Sequence, residues 1–187
     1  PEDRISLGEL VDGFGNRAFG VLLFVFAVPV ALPIAIPGIS AVLGMPLLLL
    51  SWQLMRGRDS PWLPEVMRRR SFRFRDFAVL MNRALLTLRR VERLVRPRLM
   101  ALTTGRSERA IGLIAFVLAM ILFLPIPFGN SIPALGVAVL ALAVLERDGV
   151  AAIIGAAIGA VGIALVSGIM LAVTKGVLIA VQTWLMS

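Results

Sequence analysis

The stretch from Gly112 to Asp148 reads GLIAFVLAMILFLPIPFGNSIPALGVAVLALAVLERD, and it constrains the fold more than any other part of the chain. Two apolar runs flank a short break, Pro125–Ser131, which carries the only polar side chains before the closing Glu146-Arg147-Asp148. Each run approaches the roughly 20 apolar residues that cross a bilayer as a helix. Hydrocarbon offers the backbone no hydrogen-bond partner, so such runs must be helical, and a break between them must be buried in protein or face water. The same design recurs from Gly20 to Gly57, with its break at Pro33–Ser40.

The recurrence is a gapless shift of 92 residues. Placing Arg17–Gly57 on Arg109–Gly149 gives 14 identities in 41 positions. Apolar composition inflates such a score, but the matches include Arg17/Arg109, Gly20/Gly112, Pro33/Pro125, Gly44/Gly136 and Gly57/Gly149. Paired interrupted apolar segments point to a binding site in many transporter folds. The expected fold is an all-α integral membrane protein. Two repeated helix–break–helix hairpins (17–57 and 109–149) are joined by a basic amphipathic helical linker (58–108), with C-terminal membrane helices over 150–187. All belong to one membrane domain. A pseudo-two-fold relation of the hairpins, with both breaks meeting inside the protein, is the arrangement that satisfies the most backbone.

Composition narrows the chemistry. Of the 187 residues, 59% are hydrophobic, above the 45–50% of soluble domains. The polar start and the length of the first apolar run argue against a cleaved secretory signal. Cys, His and Tyr are absent, so disulfides, thiolate nucleophiles and the commonest general base and metal ligand are excluded. No metal, cofactor or enzymatic activity is expected. The net charge is +8, and residues 56–109 hold 15 of the 19 cations, all Arg, against five acids. Basic loops stay in the cytoplasm. The expected arrangement is therefore multi-pass in a membrane, with the linker and the N-terminus on the cytoplasmic side. The partner expected for this charge is the anionic head-groups of membrane lipids rather than nucleic acid.

Locally, Pro29, Pro33 and Pro37 predict that the first helix ends near Pro29–Pro33. A kinked spanning helix and a half-helix followed by unwound backbone both fit. Gly38 suits a turn, and Ser40 an N-cap. Residues 1–16 read as an amphipathic or irregular lead. Phe77 through Val95 place apolar residues at three- and four-residue spacing, as in an interfacial helix or one packed on its own membrane part. Gly155-Ala-Ala-Ile-Gly159 fits close helix packing, within the monomer or in a homodimer. Gly176–Met186 reads as a final arm, an extension of the preceding helix or an interface helix.

Several runs resemble the exopolysaccharide synthesis ExoD family: Gly57-Arg-Asp-Ser-Pro-Trp-Leu-Pro64, Arg96-Pro-Arg-Leu99, Leu124-Pro-Ile-Pro-Phe-Gly-Asn130 and Glu146-Arg-Asp-Gly149. Pro37-Gly-Ile-Ser40 and Gly44-Met-Pro-Leu47 resemble it too. The resemblance runs from about residue 6 to 175. It implies a bacterial inner-membrane protein linked to exopolysaccharide production, without implying a reaction.

Two main functional expectations follow. One is transporter- or flippase-like handling of an anionic or lipid-linked sugar substrate. The other is a non-catalytic scaffold or regulator of the polysaccharide machinery, acting through the basic face. An enzyme acting on lipid phosphate would need Glu146 or Asp148 as its base. The candidate substrate-binding residues are the break residues Pro33, Pro37, Gly38, Ser40, Pro125, Pro127, Asn130 and Ser131. To these are added the matched entrance arginines Arg17 and Arg109, and the closing Glu146, Arg147 and Asp148. Each has a plainer role: interface anchor for the arginines, helix cap for Asn130 and Ser131, local ion pairs for the closing cluster.

Overall fold

The computed structural model describes residues 4–32, 39–65, 71–73, 99–124 and 129–186. Among them the chain is almost wholly helical. A small exception joins β1 (Arg4–Ser6) to β2 (Ser71–Arg73) as an antiparallel pair, with Ile5 opposite Phe72. The lead is thus a short strand followed by α1 (Leu7–Phe14) and a 3-10 turn over Gly15–Arg17. Then come α2 (Ala18–Ala31) and α3 (Ile39–Met55). After a 3-10 turn at Met100–Leu102 follow α4 (Arg106–Phe123), α5 (Ser131–Glu146) and α6 (Gly149–Met186). The expected amphipathic helix over Phe77–Val95 lies outside the described residues, as do positions 33–38 and 125–128.

Proline sets where the arms stop. α2 tolerates Pro29 in its last turn and ends at Ala31. Leu32 and Leu124 are both extended, at φ −69°, ψ 136° and φ −75°, ψ 126°. Each precedes a proline, whose ring drives the preceding residue out of the helical region. Pro133 causes no such break, because it sits in the first turn of α5, where backbone donors have no intrahelical partner anyway. Ser40, a possible N-cap in the sequence, lies at the start of α3, whose preceding residues are outside those described.

The most extensive packing pairs α5 with α6, α3 with α4, and α2 with α5. Glycines mark the close approaches. A Cβ at Gly20 would stand 2.9 Å from the carbonyl oxygen of Ala141 and from the backbone nitrogen of Leu145, so the start of α2 meets the end of α5. A Cβ at Gly112 would collide with the backbone of Leu54 and Met55, so the start of α4 meets the end of α3. Gly44, near the start of α3, faces Phe123 at the end of α4, with 3.2 Å left for a Cβ. Both pairs are antiparallel. In a lipid phase apolar burial adds little, and close van der Waals packing over small residues is what holds helices together. Between these helices lie Phe19, Leu22, Leu23, Leu47, Leu50, Leu54, Leu118, Leu122, Val137 and Leu140, all fully buried.

α6 completes the bundle. Its Gly155, Gly159 and Gly162 sit against Leu140, Gly136 and Pro133 of α5, an antiparallel register in which each pair of numbers sums to 295. This is packing within one chain, as one of the two readings of Gly155–Gly159 expects. Burial along α6 stops at Val166, and the helix continues exposed through Lys175 to Met186. Gly176–Met186 is therefore an extension of the same helix. Its 38 residues give a length of about 57 Å. Among the described residues it is the one helix long and apolar enough to cross a membrane; α2, α3 and α5 are shorter apolar helices. Thr174 and Thr183 donate to the Met170 and Ile179 carbonyls at 2.8 Å, so their hydroxyls are satisfied inside the helix.

Candidate functional site

The antiparallel pairs sort the candidate residues into two groups at opposite ends. From Arg109 to Leu122, α4 climbs about 20 Å. Arg17, Arg109, Glu146, Arg147 and Asp148 lie at the end where α2 and α4 start and α3 and α5 stop. Ser40, Asn130 and Ser131 lie at the other. The arginines therefore do not converge on the break residues. Pro33, Pro37, Gly38, Pro125 and Pro127 lie outside the described residues.

At the break end Asn130 carries the chemistry. Its side chain is not a helix cap: no side chain caps α5. Nδ2 instead donates to the carbonyl of Leu124 at 2.9 Å and, more weakly, to that of Leu122 at 3.4 Å. Those carbonyls belong to the end of α4, where the helix leaves its last acceptors without partners. The amide thus ties the end of one arm to the start of the next. Asn130 is 7% exposed, and its Oδ1 is buried with no hydrogen-bond partner among the described residues. Ser131 and Ser40 are half-buried.

At the charged end the described contacts are local ones. Gly57, at φ 72°, leaves its Cα bare against the guanidinium of Arg109, where a Cβ would stand 2.5 Å from Nε. Arg56 lies over the Trp52 ring, 4.5 Å from its centroid, and that ring meets Phe116 at 5.5 Å. Asp148 is 1% exposed, and its Oδ1 accepts from the backbone nitrogens of Val150 at 2.8 Å and Ala151 at 3.4 Å. It caps α6, which accounts for its place in the closing cluster. Arg147 ends α5 in the left-handed region, φ 54°, with an exposed side chain, and Glu146 is exposed beside it. Arg17 is exposed at the entrance of α2.

Two residues went unnoticed in the sequence. Glu108 is half-buried in the charged turn ahead of the apolar stretch of α4. Burial raises its carboxyl from the ordinary 4.5, Arg147 opposes that, and Asp59 adds to it. Gln53 is buried; its amide donates to the Trp62 carbonyl at 2.8 Å and accepts from the Trp62 nitrogen at 2.7 Å, pinning the loop after α3 onto that helix. Its place one turn before the end of an otherwise apolar helix was the available signal.

The pattern of the family described as "Exopolysaccharide synthesis, ExoD" matches residues 1–168. The chain is 31% identical over 151 residues to "Protein ExoD" of Rhizobium meliloti (strain 1021), covering 79% of this chain and 62% of that protein. It thus spans less than two thirds of that relative's length. It is 28% identical over 152 residues to "Uncharacterized protein slr1875" of Synechocystis sp., covering 79% of this chain and 72% of that one. No solved structure matches the chain.

Proposed function

The chain belongs to the exopolysaccharide synthesis ExoD family, and from that premise we propose that it handles an anionic, lipid-linked substrate of exopolysaccharide production in the manner of a transporter or flippase. Its two helix pairs are copies related by a pseudo-two-fold axis, embedded in a bacterial inner membrane with the Arg-rich linker in the cytoplasm. The protein moves or presents its substrate without covalent chemistry.

The supporting observation is the crossed pairing of the arms. α2 packs on α5 and α4 on α3, through Gly20 and Gly112, which stand 92 residues apart. Exchanging the two helix pairs maps one helix pairing onto the other, as a two-fold relation requires, although Gly112 meets Leu54 and Met55 rather than Leu49 and Gln53, the counterparts of Ala141 and Leu145. The arms are also short: 14 to 18 residues rise about 21–27 Å, less than the roughly 30 Å of a bilayer core. An arm that starts at the cytoplasmic face of the core thus ends about 3–9 Å short of its far side, which leaves its break, and Asn130, within the hydrocarbon. Polar groups at that depth are costly and tend to serve a function. The cationic end, with Arg17, Arg109 and Arg147, sits where an anionic head-group would be gathered before entry.

Purified protein in liposomes, loaded with a fluorescent polyprenyl phosphate on one leaflet, tests the reading. Transfer between leaflets that protein-free vesicles lack is expected; equal rates with and without protein would rule it out. Topology is tested separately. The native chain has no Cys, so single cysteines at Ser60 and Ser107 are expected to resist an impermeant thiol reagent until cells are permeabilised.

A further inference from the structure

We infer that Trp52, Arg56 and Trp62 form a docking surface for the head-group layer of an anionic bilayer, and that this surface sets how deep the helices sit at the charged end. The inference rests on the membrane placement in the reading above and is independent of its transport step. It also gives a role to the Gly57–Pro64 run, which the transport reading leaves unused.

The loop is built to hold one ring outward. Gln53 is buried, and both halves of its amide serve the backbone of Trp62: Nε2 donates to the carbonyl, and Oε1 accepts from the nitrogen. The nitrogens of Gly57 and Arg58 donate to the carbonyls of Leu54 and Gln53 at 2.9 Å and 3.2 Å, which closes the turn onto the end of α3. Pro61 and Leu63 are buried on either side, yet Trp62 between them is 58% exposed. A loop that only reverses the chain needs no indole there, and in water so large an apolar ring is unfavourable. An indole joins an apolar body to an N–H donor, which suits the boundary between hydrocarbon and water better than either phase alone.

The surface beside the loop changes character at the same level on two helices. On α3 Val42 and Met45 are exposed, then Trp52, and Arg56 follows. From Val42 to Trp52 the helix rises about 15 Å. α4 runs the other way, with Gly112 set against Leu54 and Met55. Arg109 is exposed on the charged side of that contact, and Leu113, Val117 and Met120 are exposed beyond it. Apolar surface thus gives way to aromatic and then to cationic surface, as at the edge of a bilayer's hydrocarbon. Arg56 supplies the sign of the partner. It lies over the Trp52 ring, and no carboxylate among the described residues is bonded to it. A guanidinium held by a ring instead of a carboxylate keeps its N–H donors for an outside acceptor, and phosphate fits them well. Arg56 and Arg58 are matched in number by Asp59 and Glu65. A preference for anionic lipid at this loop therefore comes from the placement of Arg56 beside the rings, not from bulk charge.

The three tryptophans make the test direct. Variants of the full chain keep one of Trp52, Trp62 and Trp184, the other two being replaced by Phe, which leaves a ring beneath Arg56. Each is reconstituted in vesicles of phosphatidylcholine and phosphatidylglycerol in equal parts, and its fluorescence is read. A lipid spin-labelled at the head-group is expected to quench Trp62 about twofold more strongly than one labelled at the chain ends. Brominated phosphatidylglycerol is expected to quench Trp62 about fivefold more strongly than brominated phosphatidylcholine, and Trp184 equally with both. In Arg56→Gln the preference at Trp62 is expected to vanish while the ring keeps its depth. Equal quenching of Trp62 by the two brominated lipids with Arg56 in place overturns the inference. So does a preference unchanged in Arg56→Gln, or one as strong at Trp184. A Trp62 reached by aqueous iodide and by no labelled lipid also overturns it, whether the loop faces water or a protein partner. In that case quenching of Trp52 and Trp184 from the lipid leaves the membrane placement standing, and quenching of none of the three removes both.

Discussion

The first helix pair and the second differ most where they are most alike in sequence. Gly20 and Gly112 both seat an arm of the other pair against backbone. Gly44 and Gly136, matched in the same way, do not act alike: Gly44 faces the end of α4, while Gly136 is taken up by Gly159 of α6. The difference comes from α6, which follows the second pair directly and covers α5 along its length. At the break the pairs diverge again. Position 130 holds an amide that ties two arms together, and the matching position in the first pair is Gly38, which has no side chain to do so. A duplicated frame thus keeps its close contacts, while one copy takes on the polar work. Catalytic and binding sites in repeat-built membrane proteins commonly lie between copies; here the buried amide of Asn130 belongs to the second copy, and Ser40 of the first copy lies at the same end.

The comparison is broken most severely at the shared glycines. Gly112→Ala is expected to cost about 3 kcal/mol, the upper range for overpacking, because a methyl there meets the backbone of α3. Gly20→Ala, against backbone at 2.9 Å, is expected to follow it, and Gly44→Ala, at 3.2 Å, to cost least. Thermal unfolding in detergent reads the order; a Gly112→Ala protein as stable as the native one would mean the α3–α4 contact is not as described. At the break, Asn130→Asp is expected to cost about 2–3 kcal/mol at neutral pH, since a carboxylate cannot donate to Leu124 and loses solvation by burial. Its carboxyl is held protonated more readily in the folded than in the unfolded chain. The deficit should therefore shrink as pH falls toward the ordinary carboxylate range. A deficit that grows on acidification would contradict the assigned amide orientation.

Asp148→Ala sharpens the role of α6. Losing the cap is expected to lower stability by about 1 kcal/mol, with Asp148→Asn recovering most of it. Equal losses in both variants would point to an ionic role instead. The smallest effect is assigned to Glu108. Its raised carboxyl contributes stability that is present below the ordinary 4.5 and lost as pH rises through the folded value. Glu108→Gln should flatten unfolding midpoints across that window, and a steeper dependence in the variant would refute the assignment.

Much of this was legible in the chain. The stops at Leu32 and Leu124 follow from the prolines after them, and the close-packed glycines of α6 from their spacing. What stayed hidden was directional. No periodicity tells that Asn130 reaches back to α4 instead of capping α5, because both uses suit a polar residue before a helix. Asp148 looked like one member of a charged trio, yet a buried cap and an exposed ion pair require the same residue type. Arg17 and Arg109 were grouped with the breaks by the repeat, and only the antiparallel packing separates them by the length of an arm.

The length of α6 has a mechanical consequence. Beyond Val166 about 20 residues, some 30 Å of helix, leave the bundle as one rod. A rod clamped at one end is a lever. Tilting the four-arm body by 10° would sweep the far tip, at Met186, through about 5 Å on a 30 Å arm. Gly168 and Gly176 lie along that arm, and among the described residues no packed neighbour stands against either. Whatever holds Trp184 and Met186 at the tip therefore feels the posture of the bundle magnified, and a load on the tip is returned to the α5–α6 contact with the same leverage.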